Sequence, residues 1–331
     1  MFLFALLLLV IYKIGRTLII FAVALIVAHL LSPVVEFVER IIPQRVPRVA
    51  ALLLVYIVLI GVLVAALIPV GERISSEAAG LAARLPAALE GDPLAHVPIP
   101  RWLEPLRPQL TDVLRDRIAE LGRSIVPVLS RAGTQIVTGI GSVLGVILIP
   151  ILSFFFLKDG AAMREAIVEN IDSRRRALVD TIFSDLHTLL SQYIRALVLL
   201  SIATFIFYTG FLSIVGVPYP VLLAGVAAVL EFIPAVGPLI GGVTIVLVAA
   251  TGGYPHLLWI VLFLVVYRIF QDYVLSPYLM SSRIELHPML VLFGVLAGEQ
   301  LLGIPGMFFS VPAMAALRLI WIRLRKGWGA V

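Results

Sequence analysis

Long apolar runs alternate with two polar stretches along this chain, and the alternation predicts helices of membrane-spanning length. About 20 apolar residues in a helix cover the ~30 Å hydrocarbon core of a bilayer. Runs of that length occupy 49–70, 136–157, 196–217 and 256–280. A shorter run, 17–33, pairs with 2–12 into a bent N-terminal hairpin. Residues 2–12 have the length of a leader core, but no basic residue precedes them and Lys13-Ile14-Gly15-Arg16 offers no small-residue cleavage pattern, so they are read as part of the membrane domain. Two further apolar stretches, 219–250 and 288–321, are too long for one simple span, and Pro and Gly interrupt each near its middle. In the first, Pro234, Gly237 and Pro238 leave flanks of about 13 residues, and each flank covers only about 20 Å at 1.5 Å per residue. In the second, the interruption falls at Pro305 and Gly306. Each stretch is therefore either a kinked span or a re-entrant helix pair.

The first polar stretch, 71–131, carries eight Arg against eight Asp and Glu. After Pro- and Gly-rich punctuation from 86 to 108 it places Leu103, Leu106, Leu110, Leu114, Ile118, Leu121, Ile125 and Val128 three and four apart. That spacing gives one apolar face of a surface helix, packed on the membrane domain or on a neighbouring subunit. The second, 158–195, holds six basic and six acidic residues and reads as a second helical excursion, with Arg174, Arg175 and Arg176 in a solvated turn. The expected fold is an all-α integral membrane protein of about seven or eight membrane segments. Its expected divisions are an N-terminal hairpin and span (1–70), an extracytoplasmic helical excursion (71–135), a span (136–157), a cytoplasmic helical segment (158–195), a transport core (196–321) and a basic cytoplasmic tail (322–331).

Composition agrees with this class. Of 331 residues, 61% are apolar and 14% charged, and the mean hydropathy is +1.09, whereas soluble domains hold roughly 45–50% apolar and about 25% charged residues. The net charge of +5 is concentrated at the two ends. Lys13, Arg16, Arg40, Arg45 and Arg48 at one end, and Arg318, Arg323, Arg325 and Lys326 at the other, predict that both termini are cytoplasmic. The basic residues form no dense patch interleaved with aromatics, so no nucleic-acid partner is expected; the lipid bilayer is the expected partner. The absence of cysteine excludes disulfides, thiolate nucleophiles and Cys-ligated metals. The five histidines, His29, His96, His187, His256 and His287, have no metal-ligand spacing, and no phosphate loop, nucleophile elbow or zincin motif occurs. Neither an enzyme nor a cofactor is expected.

The informative residues are the polar ones inside apolar runs, because an ionised side chain at the centre of a membrane helix costs on the order of 2.5–3.5 kcal/mol. Arg268, Gln271 and Asp272 lie mid-run, three and four apart, on one helix face. They read either as an internal ion pair that locks helix packing or as the polar wall of an ion or substrate path. Glu231 is the twelfth residue counted from Pro220, and Glu299 the twelfth from Pro288. Each carboxylate follows a glycine-containing apolar helix and precedes an Ile-Pro break, which reads as a degenerate internal repeat. Paired broken helices are the sequence pointer to a transporter binding site, since unwound backbone can replace a ligand's solvation shell.

The chain resembles the autoinducer-2 exporter family of bacterial membrane proteins over nearly its whole length. The markers are Leu31-Ser32-Pro33, Phe154-Phe-Phe-Leu-Lys-Asp-Gly160, Glu231-Phe-Ile-Pro-Ala-Val-Gly237-Pro238, Gln271-Asp-Tyr-Val-Leu-Ser-Pro277, and Leu286-His-Pro288 running on to Gly306, Met307 and Pro312. It departs from the family at Gly298-Glu299-Gln300, where a plainer Gly-rich stretch is expected. The resemblance implies a multi-span inner-membrane transporter that assembles as a homo-oligomer, with a pentamer as the candidate assembly. Members of the family are linked to export of the signal autoinducer-2, and others to exchange of sodium or lithium for protons. For such a transporter, the polar residues within the apolar runs take the site roles: Glu231 and Asp272 are expected to bind the cation or proton, with Gln271 coordinating, Arg268 tuning the carboxylates or holding an anionic substrate, and Glu299 as a further ligand. Pro234, Gly237, Pro238, Pro277, Pro305 and Gly306 are the expected hinge positions. A passive oligomeric channel is the alternative, since channels also use broken helices and carboxylate rings.

Overall fold

The computed structural model describes residues 15–41, 47–90, 104–109, 111–113, 115–116, 143–252, 254–279 and 286–328. The expected hairpin partner 2–12, His96, the start of the 136–157 run and most of the Leu103 to Val128 face lie outside the described residues.

Among the described residues every regular element is helical. In chain order these are α1 (Gly15–Ile41), α2 (Arg48–Glu90), a 3₁₀ turn (Glu104–Leu106), α3 (Val143–Glu169), α4 (Ser173–Ile214), α5 (Pro220–Leu230), α6 (Val236–Thr251), α7 (Leu257–Phe270), a π-helical turn (Gln271–Leu275), α8 (Ser276–Leu279), α9 (Pro288–Leu302) and α10 (Ile304–Trp328). Among the described residues, four helical stretches are long and apolar enough to cross a membrane: Ile20–Val38, Arg175–Ile214, Leu257–Leu279 and Ile304–Arg325. Three shorter apolar helices, α5, α6 and α9, come from the two stretches expected to be broken. Helix α2 does not stop where its apolar run ends but continues through Val70 to Glu90.

The residues form two compact units. The first draws on Met1–Val62, Ser142–Leu197 and Leu279–Val331, and the second on Leu63–Gly141 and Val198–Tyr278. In the first, α1 buries Ala24, Ala28, Leu31 and Val35, a stripe with the four-three-four spacing of one helix face, and α3 packs against it. Val35 meets Leu52 and Val55 of α2 there, with Phe154 and Leu157 of α3 against them. Ser153, fully buried, donates to the Pro150 carbonyl at 3.0 Å, which leaves its oxygen to accept from Tyr56 at 2.7 Å. The α9–α10 pair turns at Gly303, whose φ of +65° suits glycine, and closes on a glycine contact. The Gly298 and Gly306 backbones approach so closely that neither position has room for a Cβ. Such small-residue contacts let two helices pack in an apolar solvent, where burial of apolar surface gives no driving force.

In the second unit α5 and α6 pack side by side, with Gly241 lying against Ala227, and α6 in turn packs on α7. Their core holds Tyr208 and Leu212 of α4, Leu223, Ala224 and Ala227 of α5, Ile245 and Ala249 of α6, and Ile260 and Tyr267 of α7. Phe211 and Phe263 stack at 3.8 Å between centroids. Helix α5 begins with Pro220 after Tyr219 in the left-handed region, and its Leu222 N–H donates to the buried Glu77 carboxylate of α2 at 2.8 Å. Arg73 holds that carboxylate at 2.9 Å. A carboxylate at a helix N-terminus satisfies an orphan donor and the positive end of the helix dipole. Outside these cores the helices carry many exposed large apolar residues, such as Phe37, Ile57, Leu258 and Phe293, the surface a bilayer requires.

Three substitutions test the packing. Gly298→Ala is expected to destabilise the protein by about 1–3 kcal/mol because the α9–α10 backbones must separate. Gly61→Ala, whose Cβ would meet nothing within 4 Å, is expected to be neutral or stabilising by about 0.5–1 kcal/mol. Glu77→Ala, which orphans the Leu222 N–H, is expected to cost about 1–2 kcal/mol. Thermal unfolding of the three variants in detergent, compared with wild type, checks all of these.

Candidate functional site

The break between α5 and α6 is short and tight. Helix α5 ends at Leu230, and α6 begins at Val236 after Ala235, which has φ +63° without being glycine. Ile233 N–H returns to the Leu230 carbonyl at 2.8 Å, and Gly237 lies so close to that same carbonyl that a side chain there would overlap it. Pro234, which has no N–H to donate, lies within the break, and its carbonyl accepts from the Val236 N–H at 2.7 Å. Glu231 is the first residue of this break, and only 8% of it is exposed.

Its side chain is met by two other helical segments. Gln271, at the start of the π turn and 3% exposed, donates its amide N–H to Glu231 Oε1. Thr204 of α4 lies 3.4 Å from Oε2 as donor, and its hydroxyl is 3.0 Å from the Tyr267 hydroxyl. With Thr204 donating to Glu231, Tyr267 donates to Thr204, giving a hydrogen-bonded row from Tyr267 to Thr204 to the carboxylate. Ser201 of α4 donates to the Ala228 carbonyl of α5 at 2.7 Å, so α4 grips α5 next to the site.

Arg268 and Asp272 form the outer edge. Arg268 Nε lies 2.9 Å from Asp272 Oδ2, and Nη1 lies 3.7 Å from Glu231 Oε1; the two side chains are 42% and 44% exposed. One guanidinium thus stands between two carboxylates, one buried and one at the surface. With both carboxylates ionised the group carries a net charge of −1, which suits a cation or a proton rather than an anion.

Of the expected ligands, the structure brings together Glu231, Arg268, Gln271 and Asp272 within the second unit. Glu299 is not among them: it is exposed on α9 in the other unit. Pro277, one of the expected hinge positions, lies within helical structure, and the chain stays helical to Leu279. The reason is the π turn just before it, closed by the Ser276 N–H to the Gln271 carbonyl, which widens the helix where the proline ring would otherwise clash. Pro305 lies in the first turn of α10, after the break at Gly303. Thr204 and Tyr267 went unassigned in the sequence, although Ser201, Thr204 and Tyr208, three and four apart in an apolar run, marked a polar stripe. Among the described residues no three His, Asp or Glu side chains come close enough to hold a metal ion.

A cavity of about 550 Å³ lies in the first unit among α1, α3 and α4, where His29 and His187 meet at 4.6 Å between ring centroids. Its lining is mostly apolar, and its one charged residue, Arg164, is held by Asp180 at 2.8 Å. His287 acts as a cap, accepting from the Met289 N–H at 3.3 Å. Among the described residues, Glu231 and Glu77 are the buried carboxylates, each beside a more exposed guanidinium, and Glu231 is the one at a helix break.

Removing the Thr204 hydroxyl tests how far this network holds the helices together. Thr204→Val keeps the shape and is expected to cost about 1–3 kcal/mol, because Glu231 loses a donor in a buried setting. Thr204→Ser is expected to retain most of the wild-type stability; thermal unfolding in detergent compares the two.

The chain is similar to several bacterial transport proteins. It is 27% identical over 91% of its length to "Putative transport protein YueF" of Bacillus subtilis, covering 83% of that protein. It is 25% identical over 92% of its length to "Putative transport protein YrrI" of the same organism, covering 85% of it. "Putative permease PerM" of Escherichia coli is 24% identical over 64% of this chain and 59% of its own. The family model for the AI-2E family transporter matches residues 1–326, so the chain belongs to the AI-2E family of membrane transport proteins.

Proposed function

We propose that this transporter is a secondary carrier of the bacterial inner membrane that exchanges a monovalent cation, sodium or lithium, for protons, with Glu231 as the carboxylate the two share. The observation behind this reading is the buried Glu231 at the break between two short apolar helices, met by neutral donors and flanked by a single guanidinium. A carboxylate so placed can be neutralised by a proton or by a cation, and by only one of them at a time, which is the requirement for exchange. Asp272 at the exposed edge receives the cation, and Gln271 turns its amide oxygen toward it once the hydrogen bond to Glu231 is given up. The helix breaks support movement: α5 and α6 are about 17 and about 24 Å long at 1.5 Å per residue, so neither spans the bilayer alone and the pair can shift without unwinding a complete span. Pro234, Gly237 and Pro238 serve as its hinge, with Pro277 beside the π turn as a second flexible point. In this reading both termini face the cytoplasm, and the carrier works as a homo-oligomer.

The test is flux in proteoliposomes: a sodium gradient is imposed and internal pH followed with a trapped dye. A saturable pH change is expected from wild type, and Glu231→Gln and Asp272→Asn are each expected to slow it by about tenfold or more, the kinetic equivalent of about 1.4 kcal/mol. No pH response from folded wild type would overturn cation exchange in favour of export of a polar organic solute such as a signal molecule. A response that fails to saturate would indicate a passive pore.

A further inference from the structure

We propose that Arg268 is the tethered counter-ion of this site: its guanidinium neutralises Glu231 when neither a proton nor an external cation does, and withdraws to Asp272 when one arrives. This rests on the carrier reading and adds to it an account of how the empty site crosses the membrane.

The geometry places the guanidinium between two positions. Its Nε is in full ion-pair contact with Asp272 at 2.9 Å, while Nη1 stands off Glu231 at 3.7 Å. Shortening the second contact to the first's length takes 0.8 Å (3.7 less 2.9), a small movement for a long side chain that is 42% exposed. Glu231 has hydrogen-bond partners in Gln271 and Thr204, but both are neutral. The phenols nearby, Tyr267 and Tyr208, bring no positive charge either. Arg268 is thus the cation within reach among the side chains described around Glu231, and a buried carboxylate without a counter-charge is strongly disfavoured.

A pair that only locked one helix would need Arg268 and Asp272, four residues apart on the same segment. It would leave unexplained the second contact, to a carboxylate on another helix pair. A cation arriving from the exposed side meets Asp272 first, and when it reaches Glu231 the displaced guanidinium retains a partner in Asp272. Loading then exchanges one counter-charge for another, and the site is never left as an unpaired buried carboxylate.

A mechanistic consequence follows. A carrier with its own counter-ion can return empty as well as loaded, so beside cation–proton exchange it carries a slower, uncoupled net flux of the cation. Without the tether, the site crosses only when loaded.

The experiment uses the full chain in vesicles of phosphatidylethanolamine and phosphatidylglycerol, with radioactive sodium, at alkaline pH where protons are scarce. Two modes are measured: tracer exchange with equal sodium on both sides, and net uptake into sodium-free vesicles with the membrane potential clamped. Wild type is expected to show both. Arg268→Gln is expected to lower net uptake at least about tenfold more than it lowers tracer exchange, as the counter-charge of the empty site is gone. Arg268→Lys, which restores a positive charge, is expected to recover net uptake. The proposal is overturned if both modes fall together in folded Arg268→Gln protein, if neither changes, or if Arg268→Lys behaves as Arg268→Gln. Wild type that carries sodium in neither mode overturns the carrier reading itself, a result visible before any variant is compared.

Discussion

The second unit is organised around one constraint: a carboxylate placed where water is scarce must have partners. Glu231 meets it through three segments far apart in sequence, the α5–α6 break, the middle of α4 and the start of the π turn. None of these partners is local, so the site exists only when the helices are assembled. The same constraint acts at the other end of α5, where Glu77 is buried against the Leu222 N–H and paired with Arg73. Helix α5 is only 11 residues long, too short to be stable alone. It is held at its first turn by a carboxylate from α2 and flanked at its end by its own carboxylate, and between them its buried face is Leu222, Leu223, Ala224, Val226, Ala227 and Ala228.

The two broken helix pairs solve one problem in different ways. Both begin with a proline at the first helical turn, where the missing N–H costs nothing. The α9–α10 pair turns at Gly303 and closes on the Gly298–Gly306 contact, with Gly294 lying beside Ser310 and Met314, so its interface is small and apolar. Its carboxylate, Glu299, is exposed. The α5–α6 pair turns through Ala235, a conformation in which a Cβ is uncomfortable, and buries its carboxylate. A positive φ at a non-glycine residue and a buried carboxylate thus occur together at the α5–α6 break and not at the α9–α10 break.

Much of this was legible in the residues. Apolar run length and punctuation predicted helices broken near Pro234 and Pro305, and the mid-run polar residues Arg268, Gln271, Asp272 and Glu231 predicted a polar cluster, because such residues are too costly in hydrocarbon to be accidental. The match in spacing between Glu231 and Glu299 was a weaker guide: equal distance from a proline does not determine which way a side chain faces, and the two differ in burial. Thr204 and Glu77 escaped notice for another reason. A threonine in an apolar helix and a glutamate in a charged stretch are common and unremarkable until tertiary packing brings each to a partner 27 or 145 residues away.

The π turn is the feature that periodicity could not supply, and it gives the site its shape. Up to Gln271 the inward face of the segment keeps helical spacing, with Ile260, Tyr267 and Gln271 all buried. Continued for two more turns, that face would include Tyr278, seven residues on; instead Tyr278 is 87% exposed. One extra residue in the turn, in which the Ser276 N–H reaches back five positions to Gln271, delays the face by one position and accommodates Pro277. The inserted residue also ends the ordinary α-helical pairing at the point where Gln271 turns inward and Asp272 outward. A straight α-helix would carry the inward stripe on past the site as apolar packing. Here the buried stripe ends at Gln271, which reaches Glu231, while the next residue, Asp272, is exposed and is linked to the same carboxylate through Arg268.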